Sequence, residues 1–106
     1  MGPEVKIGEI TVQGEQVDLY TTSYATRNTA VIAKLKNGES YGILSTNINP
    51  PLGEEGGLFA VKAYSENLHL AKAASVSGLF EDMGYEDIRT NNRIWRVKIQ
   101  NNLGSK

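Results

Sequence analysis

Asn37-Gly38 is the feature that most constrains what this chain can fold into. It stands between two apolar runs, Ala30-Val31-Ile32-Ala33-Lys34-Leu35 and Tyr41-Gly42-Ile43-Leu44. A two-residue hairpin loop of type I′ needs positive φ at both central positions, which asparagine tolerates and glycine adopts freely. Residues 29–47 are therefore expected to form a β-hairpin closed by a type I′ turn. Two strands that pair this tightly commit the middle of the chain to antiparallel sheet.

The flanking segments agree with that commitment. Ile10 and Val12 alternate with polar residues, Gln13-Gly14-Glu15-Gln16 supplies a turn, and Val17 and Leu19 resume the alternation. A second hairpin is expected over residues 10–24. Asn49-Pro50-Pro51-Leu52-Gly53-Glu54-Glu55-Gly56-Gly57 is expected to be an exposed loop, because two prolines remove donors and three glycines loosen the rest. Leu58 to Tyr64 follows as a short strand. One helix is expected next, capped at Ser65 or Asn67, with Leu68, Ala71, Ser75, Leu79 and Met83 at three- or four-residue spacing. Val76 and Phe80 widen that stripe, Gly84 is placed to end it, and Gly78 inside it costs about 1 kcal/mol. Beyond it, Ile88 and the run Ile94 to Ile99 flank Asn91-Asn92, a tight turn. Trp95, Val97 and Ile99 share one strand face and Arg96 and Lys98 the other; Trp95 is core if its face turns inward and contact surface if it turns outward. The fold expected is α+β: an antiparallel sheet of about five to seven short strands with one amphipathic helix on one face. Residues 1–106 are read as a single domain, with 101–106 a disordered tail.

Composition mainly removes chemistries. Without cysteine there are no disulfides, thiolate metal sites or cysteine nucleophiles. One histidine, His69, leaves no site that needs two. Glu66 is spaced to orient it, but no Gly-x-Ser-x-Gly elbow supplies a nucleophile, so His69 reads as a surface histidine. The pairs Glu54-Glu55, Glu81-Asp82 and Glu86-Asp87 lack the alternation of a calcium loop. Gly53-Glu54-Glu55-Gly56-Gly57 has no following Lys-Ser/Thr, and its two carboxylates repel phosphate. No apolar run approaches the ~18–20 residues of a membrane span, and the N-terminus lacks a signal-peptide pattern. A non-enzymatic cytoplasmic protein is expected, with no catalytic, cofactor-binding or metal residues.

Charge is what remains to carry a function. All twelve acids lie at or before Asp87, against six bases, for a net −6; from Arg89 onward there are five bases and no acid, for +5. Such a split predicts a charged partner, and two readings follow. In the first, Glu81, Asp82, Tyr85, Glu86 and Asp87, together with Glu54 and Glu55, bind a protein with a basic surface. The acids steer encounter and Tyr85 supplies an anchor. As the end of a helix, this stretch would set Glu81 and Asp82 against the dipole's negative pole, unless neighbours such as Arg89 and Arg93 neutralise them. In the second reading, Arg89, Arg93, Arg96 and Lys98 bind nucleic acid, with cations and Trp95 interleaved.

The segment Asn37-Gly38-Glu39-Ser40-Tyr41-Gly42-Ile43-Leu44-Ser45-Thr46-Asn47-Ile48 resembles the core of an uncharacterised family of small proteins of bacteria, phages and other mobile elements. The shared pattern is an Asn-Gly turn, an aromatic, a leucine and a Ser/Thr-x-Asn step, followed by a loop, a short strand and an amphipathic helix. The likeness covers about half the chain. It transfers no catalytic residue. It implies a small accessory protein of a mobile genome that binds and blocks a host defence enzyme, in the manner of an anti-CRISPR or anti-restriction inhibitor of a nuclease.

Overall fold

The computed structural model describes residues 3–24, 29–46, 57–61, 68–87 and 92–98. Alternation and turn chemistry build the first sheet. Strands β1 (Val5–Val12) and β2 (Glu15–Ser23) pair antiparallel, with Val12 opposite Glu15. Gln13 and Gly14 are thus a two-residue loop, and both take positive φ, 50° and 84°. This is where the type I′ turn sits. Strand β3 (Thr29–Leu35) pairs with β2, and β4 (Ser40–Ile43) with β3.

The hairpin expected at Asn37-Gly38 is present with a different turn. Gly38 N donates to Leu35 O and Leu35 N to Glu39 O, each at 2.8 Å. Gly38 has φ 92°, whereas Asn37 stays out of the positive region. The arrangement is a type I turn closed by a glycine bulge, a three-residue loop. Asn37 contributes its side chain instead: Oδ1 accepts from Glu39 N at 2.9 Å.

At Leu44 the chain leaves one sheet for the other. Leu44 is fully buried and its N–H donates to Val31 O at 2.9 Å. Strand β5 (Ser45–Thr46) then begins the second sheet. Ser45 Oγ accepts from Val31 N at 2.8 Å and lies 3.0 Å from Tyr24 Oη, so a buried hydroxyl stitches the corner. The second sheet has the order β5-β6-β8-β7, with β6 at Leu58–Val61, β7 at Phe80–Asp87 and β8 at Asn92–Val97. The fold is α+β as expected, with eight antiparallel strands among the described residues, close to the expected number but divided between two sheets.

The helix is shorter than its periodicity suggests. Helix α1 spans Leu68–Ser75 and buries Leu70, Ala71 and Ala74. Ser77 ends it: its N–H and Oγ both donate to Ala74 O, and its Oγ accepts from Leu79 N. Gly78, with φ 84°, turns the chain away. Leu79 and Met83 therefore belong to the following segment, Val76 is 84% exposed instead of widening a buried stripe, and Gly84 is a strand residue. Leu79 still packs on the core, because a Cβ on Gly8 would lie 2.7 Å from its Cδ1.

Both sheets and the helix share one core, including Val12, Leu19, Val31, Leu44, Phe59, Leu70, Phe80 and Trp95. Phe59, Phe80 and Trp95 form an aromatic cluster with ring centroids 5.4–6.2 Å apart. Trp95 is thus core rather than contact surface. On the other face of the second sheet, Ala60 and Ile94 are buried with Leu58 and Met83 beside them. Among the described residues no helix is long and apolar enough to cross a membrane.

Candidate functional site

The acidic stretch and the basic strand face each other. They are the two strands of one antiparallel pair, with Glu81 opposite Arg96, Asp82 opposite Trp95, Glu86 opposite Arg93 and Asp87 opposite Asn92. Between Asp82 and Glu86, β7 has three residues, Met83, Gly84 and Tyr85, where β8 has only Ile94. That bulge sets the register of the charges. Above it, Phe80 and Trp95 turn to the core while Glu81 and Arg96 share the opposite face.

The charges then meet directly. Arg96 Nη2 donates to Glu81 Oε1 at 2.6 Å. Arg93 Nη2 donates to both oxygens of Asp82, at 2.8 and 2.9 Å. All four side chains are between 41% and 48% exposed, so solvent and salt screen both pairs. Lys98 follows β8 and ties back through its N–H to Leu79 O at 2.9 Å. Because residues 80–87 are a strand, the expected opposition between Glu81, Asp82 and a helix dipole does not arise. The neutralising neighbours are Arg93 and Arg96. Tyr85, Glu86 and Asp87 lie in β7, whereas Glu54, Glu55 and Arg89 lie outside the described residues.

By sequence the strand pair carries a net negative charge. Strand β7 carries Glu81, Asp82, Glu86 and Asp87, against Arg93 and Arg96 in β8. In the described sheet β7 is an edge strand, bonded to β8 alone. Charged side chains on an edge discourage indiscriminate strand pairing and leave the edge to a partner that complements them.

A second charged cluster lies on the first sheet, and no run of like charges in the sequence marks it. Lys6 Nζ lies 3.0 Å from Glu9 and 3.4 Å from Asp18, and Lys36 Nζ lies 2.9 Å from Glu9 and 2.8 Å from Asp18. The Asp18 side chain is only 11% exposed. The hydrogen bond from Lys36 holds the carboxyls of Asp18 and Glu9 below their ordinary values. The same contacts raise Lys6 and Lys36, chiefly through Glu9 and Asp18 respectively. Nearby, Lys34 pairs with Glu4 at 2.6 Å and stands 5.2 Å from the centre of the Tyr20 ring.

A cleft of about 480 Å³ opens where the ends of the two sheets meet. Val5, Thr22 and Thr29 line it from the first sheet, and Gly57, Val97 and Lys98 from the second. Among these, Lys98 alone is a candidate binding residue by sequence. The signal was the hydroxyl run Thr21-Thr22-Ser23, which strand propensity alone explains equally well. Among the described residues no group of three or more His, Cys, Asp or Glu stands together to hold a metal. No protein-family model matches the chain, no curated protein matches it, and no solved structure matches its fold.

Proposed function

We propose that this chain is a non-enzymatic protein that binds another protein through the β7–β8 strand pair, and that the partner's surface is basic. One observation carries the reading: the strand pair holds four carboxylates against two arginines, on an edge strand. The two arginines that a nucleic acid would need are engaged by Glu81 and Asp82 at 2.6–2.9 Å. A phosphate would have to displace those carboxylates, on a strand pair of net negative charge, which is a weak electrostatic footprint. The nucleic-acid reading through Arg89, Arg93, Arg96 and Lys98 is therefore the less favoured one.

A nuclease channel is a basic surface of the required kind, since it must attract phosphate. With the likeness to small proteins of mobile elements, this makes an inhibitor of a bacterial defence nuclease, acting in the cytoplasm, the specific form of the proposal. The test is a pair of assays on the wild-type chain: capture of proteins from a bacterial lysate, and a gel-shift series with DNA and RNA across salt. Capture of a basic protein with no retardation of nucleic acid is expected. Retardation that weakens steeply with salt, as phosphate contacts do, overturns the proposal.

A further inference from the structure

We propose that Asn37 is a site of spontaneous covalent modification, at which the chain deamidates itself through the backbone nitrogen of Gly38. Of the nine asparagines, Asn37 alone precedes a glycine. The nitrogen that must attack therefore has no side chain beside it. Among the described residues, its chain neighbours apart, none places a heavy atom within 4 Å of where a Gly38 Cβ would stand. Residues 36–40 are all exposed, so water and base reach the turn.

The turn holds the reacting groups together. Asn37 Oδ1 accepts from Glu39 N at 2.9 Å, and Asn37 Nδ2 donates to Glu39 Oε1 at 3.3 Å. A backbone donor thus already points at the oxygen on which negative charge gathers when the carboxamide carbon is attacked. Gly38 N attacks Asn37 Cγ: the N–Cγ bond forms, the Cγ–Nδ2 bond breaks, and the Gly38 amide proton passes through solvent to the departing ammonia. Water then opens the succinimide ring at either carbonyl and leaves aspartate or isoaspartate, with nothing oxidised or reduced. One contact restrains the step. Gly38 N donates to Leu35 O at 2.8 Å, and that bond must open locally before the nitrogen loses its proton. The isoaspartyl product adds a methylene to the main chain next to Lys36, whose Nζ holds Glu9 and Asp18 at 2.9 and 2.8 Å. The modification therefore sits at one corner of the first sheet's charge cluster.

No residue of the β7–β8 pair takes part, so this site stands or falls separately from protein binding. The full chain, incubated at mildly alkaline pH, is followed by ion exchange and by mass spectrometry of its peptides. Conversion should appear first at residue 37, as a mixture of aspartyl and isoaspartyl forms. Asn37→Gln, which cannot close the same ring, should remove that acidic species. Conversion in the native chain should be about fivefold slower than in guanidinium chloride at the same pH, because one hydrogen bond must open first. Earlier conversion at another asparagine, an acidic species that persists in Asn37→Gln, or equal rates in the native and denatured chains overturns the proposal. A product that is aspartate alone overturns attack by Gly38 N in favour of direct hydrolysis of the side chain.

Discussion

The two charged clusters are built from the same residue types and do different things. On the first sheet, two lysines and two carboxylates close a neutral ring over the nearly buried Asp18. Every charge there has two opposite neighbours, and the ring joins β1, β2 and the turn after β3. On the second sheet, Arg93–Asp82 and Arg96–Glu81 are exposed pairs on strands whose sequence carries four carboxylates against two arginines. Neutral closure belongs to the fold, whereas the net negative charge of the edge-strand pair is what the proposed docking relies on. The distinction lies in geometry and balance rather than in how many charged residues each region has.

The comparison breaks first if the second sheet is not held by the shared core. Phe80→Ala, which removes a ring from the Phe59–Trp95 cluster, should cost about 3–5 kcal/mol, read from a denaturant titration. A midpoint near that of the wild type would detach the β7–β8 pair from the core. A smaller effect is expected on the first sheet from Gly38→Val, about 1 kcal/mol or more, because its φ of 92° strains any β-branched residue. An unchanged melting temperature would remove the glycine bulge.

The charge clusters themselves separate under two further substitutions. Glu81→Gln should cost under about 1 kcal/mol and progressively less as salt is raised, as for any exposed pair. Asp18 should control acid stability instead. Its folded-state carboxyl is held below the ordinary value of 3.8, so its contribution is present above that pH and lost as pH falls through the folded value. Asp18→Asn should therefore flatten the acid limb of the stability curve. An acid limb unchanged in Asp18→Asn, or a Glu81→Gln loss as large as that of Phe80→Ala, would erase the difference between the clusters.

Much of this architecture is legible in residue order. Period-two alternation around Gln13-Gly14 and Asn37-Gly38 locates both hairpins, because the local chemistry of a strand and its turn acts over a few residues. Which glycine turn is type I′ is not legible: Asn37 has the better propensity, yet the loop at 36–38 has three residues and the one at 13–14 has two. Helix periodicity misleads past Ser75. Leu79 and Met83 fall in phase with Leu68 and Ala71, while Gly78, which marks the stop, reads as a tolerated cost. At the site, the acidic and basic stretches are each visible in sequence. Their pairing is not, since it depends on three residues of β7 opposing one of β8. The Lys6–Glu9–Asp18–Lys36 ring was missed for a similar reason: its members meet only after three strands take register.

The most direct test of the central claim gives the same change of net charge to each sheet. Glu86→Lys with Asp87→Lys alters the acidic edge strand, and Glu15→Lys with Glu39→Lys alters exposed positions at the first sheet's turns. Both double variants are titrated against the captured partner at physiological salt, after confirming unchanged thermal unfolding. The edge-strand variant should lose at least about tenfold in affinity, roughly 1.4 kcal/mol, and the turn variant should stay within about twofold. Equal losses would mean that long-range charge alone is recognised, and full binding by the edge-strand variant would contradict the assignment of β7–β8 as the docking surface.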